Sequence, residues 1–419
     1  MGRWAGFGAA LAAIIALSAC AGRPHGVLLP SAAVAPGAKP VDMLVATDRS
    51  TEGAEPGEMF TGERGAALSF ADIAVSIPPD SVRNIGEVQW PETLPGDPGR
   101  EFTTLRADRL SRESAIARFD ARIKKTPARQ ALLFIHGFNT RFEEAVFRFA
   151  QIVHDSGADV TPVLFTWPSR GKLVAYGYDR ESSTFSRDAL EDVLHVLAND
   201  PSVGEISILA HSMGNWVTLE ALRQMAIRDK GLPAKIKNVM LAAPDVDFDV
   251  FQRQIAQIGA RPSQFTLFVS RDDGALAASK RVWGDKPRLG AVDPHQEPFG
   301  DDLKRDGITV VDLTDVKSSD PLGHGKFAAA PQVVRAIGAR LAGGQTLNDG
   351  GAGVGDKFGQ AAVGAVSTIG AAAGVAVATP FAIVDPRTRE SLGDRFEQLG
   401  GSVTDTVQAG AEAATAPIK

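Results

Sequence analysis

Cysteine is all but missing from this chain: of 419 residues, Cys20 alone is a cysteine. No intramolecular disulfide can form, and no cysteine cluster can hold a metal. Excess positive charge is missing too, with 44 Lys and Arg against 50 Asp and Glu and a net charge of −6. Without a basic field, nucleic acid is not an expected partner. Histidine is scarce, at 7 residues, which leaves few choices for any imidazole base. What the chain has is apolar bulk. With 44% hydrophobic and 22% charged residues it can bury one large core or two modest ones.

The lone cysteine ends "LSAC" (17–20), after Arg3 and the apolar stretch "AGFGAALAAIIALSA" (5–19). A basic start, an apolar middle and small residues before a cut are the layout of a secretory signal, and the segment is short for a bilayer span. Leu17-Ser18-Ala19-Cys20 also resembles the bacterial lipobox. That resemblance implies an acylated Cys20 as the mature N-terminus. With Ala21 following, it implies the periplasmic face of the outer membrane. Each buried CH₂ of an acyl chain contributes about 0.8 kcal/mol, so several chains on one residue hold a protein at a membrane durably.

The chain divides into a signal peptide at 1–19, a Pro/Ala/Gly-rich tether at 20–40, one domain at 41–342 and a Gly/Ala-rich tail at 343–419. In the tail, Phe358 to Val384 carries no charge. Ala and Gly are only weakly apolar and Pro380 lies near its end, so a loosely ordered or membrane-associated tail is expected rather than a span.

Within 41–342, apolar runs alternate with amphipathic helical patterns, which predicts an α/β fold: a mostly parallel sheet of about eight strands covered by helices on both faces. The strand candidates are 41–47, 71–78, 131–137, 161–167, 205–211, 237–244, 265–270 and 307–313. Several are continuous apolar runs of the length expected for strands buried on both faces. In "TRFEEAVFRFAQIVHDSG" (140–157), residues 142, 145, 146, 149 and 153 form one stripe. Thr140 and Glu143 have capping-box spacing there, and Gly157 suits the stop. In "FSRDALEDVLHVLAND" (185–200), Leu190, Val193, Leu194 and Leu197 face inward, with Glu191 and His195 on the polar stripe.

One serine stands at a corner. "EISILAHSMGNWVTLEAL" runs from strand through Ser212 into helix, with Ala210 and Gly214 two residues to either side. Small residues let strand and helix approach closely, and the strained turn presents a hydroxyl above the sheet edge: this is the nucleophile-elbow arrangement. A serine hydroxyl is a poor nucleophile until a base and an orienting acid activate it, and in such a fold these follow later in the chain. Asp273, with Asp272 as alternative, follows the strand at 265–270, and Asp245 after the preceding strand is a further candidate acid. His324 lies in the loop after the last strand, whereas His295 precedes that strand. The oxyanion site calls for the N–H of Met213 and one from the loop after an earlier strand, where "HGFN" (136–139) offers Phe138, with Asn139 as a supplementary donor. The D-x-D-x-D look of 245–249 is no EF-hand loop, because its sixth and twelfth positions are Val250 and Ala256.

The stretches "VATDR" (45–49), "HGFN" (136–139), "WPSRG" (167–171), "YDRESS" (178–183), "AHSMGN" (210–215), "SRDDGAL" (270–276) and "GHGKF" (323–327) together resemble an α/β-hydrolase. More specifically, they resemble a bacterial esterase/lipase-like branch catalogued as a domain of unknown function. The resemblance implies the α/β-hydrolase fold over about 41–340 and favours Asp273 as the acid. Gly274 and Lys326 stand where that pattern leads one to expect Arg and an aromatic. The expectation is a lipid-anchored serine hydrolase acting on carboxylic esters through Ser212, His324 and Asp273, without metal or organic cofactor. Thioester or amide cleavage is a variant of it. The alternative is an envelope lipoprotein that uses the scaffold as a binding module. The stretch 281–306 is a candidate rim or lid, and Trp167, Tyr176 and Tyr178 are candidate pocket-lining aromatics.

Overall fold

The computed structural model describes residues 25–259 and 264–342. Nine strands form one sheet: β1 (Lys39–Arg49), β2 (Arg64–Ile77), β3 (Thr103–Leu110), β4 (Gln130–Ile135), β5 (Thr161–Thr166), β6 (Glu205–His211), β7 (Ile236–Ala242), β8 (Phe265–Val269) and β9 (Thr309–Asp312). Their spatial order is β3-β2-β1-β5-β4-β6-β7-β8-β9. From β1 to β9 all neighbours are parallel, while β2 and β3 add an antiparallel margin. The helices are α1 (Arg112–Ile123), α2 (Phe142–Ser156), α3 (Tyr176–Phe185), α4 (Arg187–Asn199), α5 (Gly214–Asp229), α6 (Phe248–Ile258), α7 (Gly274–Val282), α8 (Phe299–Arg305), α9 (Lys326–Ala329) and α10 (Pro331–Ala342).

The apolar runs of the central strands follow from burial on both faces. On β4, Leu133 and Ile135 join one core while Leu132 and Phe134 join the other; β6 and β7 divide in the same way. The first core is closed by α1, α4, α5 and α6, the second by α2 and α10. Each large apolar side chain fully buried in them is worth about 1.5–3 kcal/mol. Helix α2 ends at Gly157, whose φ of 64° is the left-handed stop. Its start lies one residue later than the Thr140/Glu143 spacing suggested: Glu144 accepts the Arg141 N–H at 2.8 Å.

Three expectations change. The ninth strand, β3, was not read from "TTLRADRL", because an edge strand half in water carries charges such as Arg106 and Arg109 instead of an apolar run. The tether is shorter than 20–40, since Val27 and Leu28 are buried in the second core and the Leu28 N–H reaches the Gly57 carbonyl at 3.0 Å. Glu191 is buried rather than solvated, and Arg228 bonds it across α4 and α5 at 2.7 Å. Among the described residues no helix is long and apolar enough to cross a membrane. Cys20, the signal segment and the tail from 343 lie outside the described residues.

Candidate active site

Ser212 sits where β6 bends into α5, with φ of 52°, a left-handed conformation that a serine adopts only under constraint. The constraint is visible. The Ser212 N–H bonds the Ala242 carbonyl at 3.0 Å, and its own carbonyl accepts from Asn215 Nδ2 at 2.9 Å and from the Asp245 N–H at 3.3 Å. Gly214 is needed because a Cβ there would lie 2.4 Å from the His136 carbonyl oxygen, and one on Gly137 would lie 2.9 Å from Ser212 Cβ. Ala210 can replace the usual glycine because it is a regular strand residue, paired with Ile135 and Leu241, where no positive φ is required.

His324 Nδ1 donates to Asp273 Oδ2 at 2.7 Å across 51 residues of sequence. Asp273 is also the N-cap of α7, its Oδ1 accepting the Leu276 N–H at 2.9 Å, so the cap aims the second oxygen at the imidazole. Asp272, one residue earlier, points elsewhere: Lys326 Nζ bonds its oxygens at 2.8 and 2.9 Å, and the Ser270 hydroxyl adds a third contact. Lys326 also donates to the Leu313 and Thr314 carbonyls, which ties down the loop carrying His324. Asp245 is committed to Tyr176, Ser279 and Arg288 and is not the residue that meets His324. Burial disfavours charge on His324, but the negative charge and hydrogen bond of Asp273, with Asp320 and Asp245 beyond, outweigh it and raise its pKa above the ordinary imidazole value. His295 is exposed, and its backbone N–H bonds Asp293 Oδ1 at 2.9 Å.

His211 packs beside His324, ring centres 4.7 Å apart, and donates Nε2–H to the His324 carbonyl at 3.2 Å. Burial, then the adjacent His324, pushes its pKa well below the ordinary value, so it is a neutral prop.

The N–H groups of Phe138 and Met213 make no hydrogen bond to other described residues. The loop carrying Phe138 is held from behind by Arg49, which is 1% exposed. Its guanidinium donates to the Thr140 carbonyl at 2.9 Å, the Ser169 carbonyl at 2.8 Å, the Thr61 carbonyl at 3.2 Å, Thr166 Oγ1 at 3.2 Å and His136 Nε2 at 3.3 Å. His136 must present a lone pair at Nε2, where it also receives the Trp167 N–H at 3.2 Å, so Nδ1 carries the proton and donates to the Gly137 carbonyl. Burial, and next the Arg49 charge, push its pKa down to about 3. Asp179 fastens the same loop, accepting from the Asn139 N–H at 3.3 Å, the Arg170 N–H at 3.0 Å and the Ser169 hydroxyl at 2.5 Å. The "VATDR", "WPSRG" and "YDRESS" stretches thus converge on the back of "HGFN".

Ser212 and His324 line one cavity of about 150 Å³, together with Phe138, Tyr176, Leu276 and Leu322 among others. Of the three aromatics expected to line it, Tyr176 does. Trp167 instead stacks on His136 with ring centres 5.0 Å apart, and Tyr178 lies under Arg170. The stretch 281–306, the candidate rim or lid, contributes no lining residue to the cavity. Buried Arg288 braces Asp245 from behind at 2.7 Å, and Trp283 donates to the Tyr176 hydroxyl at 2.9 Å.

The sequence profile of a family described as alpha/beta hydrolase of unknown function (DUF900) matches residues 111–340, over half of the chain. The chain belongs to this family. It is also similar to an uncharacterized protein of a Nostoc species, 24% identical over 221 residues, covering 38% of this chain and 56% of that protein. The chain therefore spans little more than half the length of that relative. In this α/β-hydrolase the match starts at α1, so β1 and its Arg49 precede the matched stretch.

Sequence reasoning passed over the roles of Arg49, His211 and Arg288, and named Tyr176 and Asp245 only separately, as a lining aromatic and a candidate acid. The "VATDR" stretch was a signal for the first, but a charge at a strand end reads by default as solvated. Two clusters of metal-ligand type occur among the described residues, His25/Glu58/Glu143 and Asp80/His154/Asp155. Arginine already serves both: Arg141 Nη1 meets His25 Nε2 at 2.7 Å and Arg83 Nη2 meets Asp155 Oδ2 at 3.1 Å. Neither contributes a residue to the cavity.

Proposed function

We propose that this α/β-hydrolase is a serine hydrolase that cleaves carboxylic esters through an acyl-enzyme, held at the cell envelope by an acylated Cys20. The observation that carries the catalytic reading is that His324, hydrogen-bonded to Asp273, lines one cavity with a serine at positive φ. Because the Nδ1–H of neutral His324 donates to Asp273, Nε2 is left as the proton acceptor.

In this mechanism Ser212 Oγ attacks the acyl carbon as His324 Nε2 takes its proton. The carbonyl electrons move to oxygen, and the N–H groups of Phe138 and Met213 hold that oxyanion. Collapse expels the alcohol, which leaves with the proton from His324. Water then attacks the acyl-enzyme, His324 again taking a proton, and the second collapse frees the carboxylic acid and restores Ser212. Asp273 stays ionised throughout and stabilises the imidazolium.

A fluorophosphonate probe tests the catalytic part. The protein is expected to be labelled at one serine, and Ser212→Ala to abolish labelling and ester turnover. A folded protein that takes no label near neutral pH favours the binding-module reading instead. For the anchor, supported by the "LSAC" pattern, Cys20→Ser should release the protein from the membrane fraction; full retention overturns it.

A further inference from the structure

One wall of the cavity that Ser212 lines is fixed. Tyr176, 8% exposed, donates its hydroxyl to Asp245 Oδ2 at 2.7 Å and accepts from Trp283 Nε1–H at 2.9 Å, and its oxygen lies 3.1 Å from Ser279 Oγ. Its ring meets the Phe138 ring edge-on, centres 4.9 Å apart at 75°. Asp245 is itself held by Ser279 Oγ at 2.5 Å and Arg288 Nε at 2.7 Å. A phenol gripped by the hydroxyl, carboxylate and indole at its tip and a ring at its flank cannot swing aside. The Arg288 charge offsets that of Asp245, so the wall offers an incoming group no unpaired charge. The rest of the surface is largely hydrocarbon, from Leu173, Leu276 and Leu322.

Size sets the next limit. A mainly apolar cavity of about 150 Å³, partly open to solvent, offers inner room comparable to that of buried cavities that accept benzene, about six non-hydrogen atoms. After the first collapse the alcohol must leave and water must enter, while the acyl group stays bonded to Ser212. The group that stays is the one an inner pocket can hold.

Resting on the hydrolase reading above, we infer that the substrates are esters of short, uncharged carboxylic acids, with Tyr176 as the residue that sets the length limit. The full-length chain, first shown to be labelled at Ser212 by the fluorophosphonate, is assayed on p-nitrophenyl acetate, butyrate, hexanoate, octanoate and decanoate. kcat/KM is expected to peak at butyrate or hexanoate and to fall at least about tenfold by octanoate, since each misfitting methylene is worth tenfold or more. Tyr176→Ala should move the peak at least one member along the series, whereas Tyr176→Phe, which keeps the ring, should retain the wild-type order. Leu276→Ala gives the same readout should Tyr176→Ala not fold. A flat profile, a maximum at decanoate, or a maximum unmoved by the cavity-enlarging variants overturns the short-acyl inference while labelling leaves the hydrolase reading standing. Absence of labelling defeats the hydrolase reading itself.

Discussion

If the proposed mechanism holds, replacing Asp273 by asparagine separates two jobs of that residue, because its two oxygens do different work. Oδ1 caps α7 at 2.9 Å from the Leu276 nitrogen, and Oδ2 accepts from His324 Nδ1 at 2.7 Å. Asparagine is as good an N-cap as aspartate, so the helix keeps its start. The amide nitrogen then faces Nδ1 and donates to it. A hydrogen bond of ordinary strength survives, and the stability loss should be about 1 kcal/mol, the difference between a charge-assisted and a neutral bond. The chemistry fares worse. With Nδ1 accepting, the proton of neutral His324 sits on Nε2, which can no longer take the Ser212 proton. Such a tautomer reversal costs a triad hydrolase about ten-thousandfold in kcat, or about 5.5 kcal/mol of barrier. The assay is kcat on p-nitrophenyl butyrate beside urea unfolding of the same preparation. Asp272→Asn, whose carboxylate serves Lys326 instead, should remain within a few-fold of wild type. A folded Asp273→Asn protein that loses less than tenfold refutes the assignment of acid and tautomer.

Three further predictions address other groups. Since the His324 pKa is raised above 6.5 and the base must be unprotonated, the acid limb of kcat/KM should have its midpoint above that value. The stabilisation from the raised pKa should run the other way, fully present below 6.5 and lost as pH rises through the folded pKa, which pH-dependent unfolding of wild type against His324→Gln checks. Arg49→Lys keeps the charge but cannot span the carbonyls of Thr140 and Ser169. Each orphaned acceptor costs about 1–3 kcal/mol, so a stability loss of several kcal/mol should accompany a drop in kcat larger than any change in KM. Wild-type kcat in the lysine variant would contradict the clamp. Asp48, buried at the end of β1, has its pKa raised from 3.8 to about 6, chiefly by desolvation. Its ionised form costs stability above that pH, so Asp48→Asn should stabilise the protein by up to about 3 kcal/mol at about pH 8. The gain should vanish as pH falls below 3.8, as read from unfolding at both ends.

Much of the fold was legible because it is written in local patterns. Continuous apolar runs mark strands buried on both faces, and the run through Ser212 into α5 marks an elbow within nine residues, "ILAHSMGNW". The edge strand β3 escaped, since it carries charges in place of a continuous apolar run. Val27 and Leu28 escaped because two apolar residues among prolines and glycines look like a linker until a core is seen to receive them.

The candidate site divides along the same line. The residue types of the proposed nucleophile, acid and base, and their order along the chain, follow from sequence, because each stands in the segment that follows a strand and every parallel strand delivers its end to the same edge of the sheet. Which neighbour of the pair 272 and 273 faces the imidazole does not, because adjacent side chains differ only in direction, and the α7 cap sets that direction. Nor does the service of Arg49 to Thr140 and Ser169, which lie 91 and 120 residues away. Hydrogen bonds that long in sequence exist only after the sheet has assembled, so tertiary structure alone decides how the turn carrying Phe138 is held and how large a cavity Tyr176 leaves.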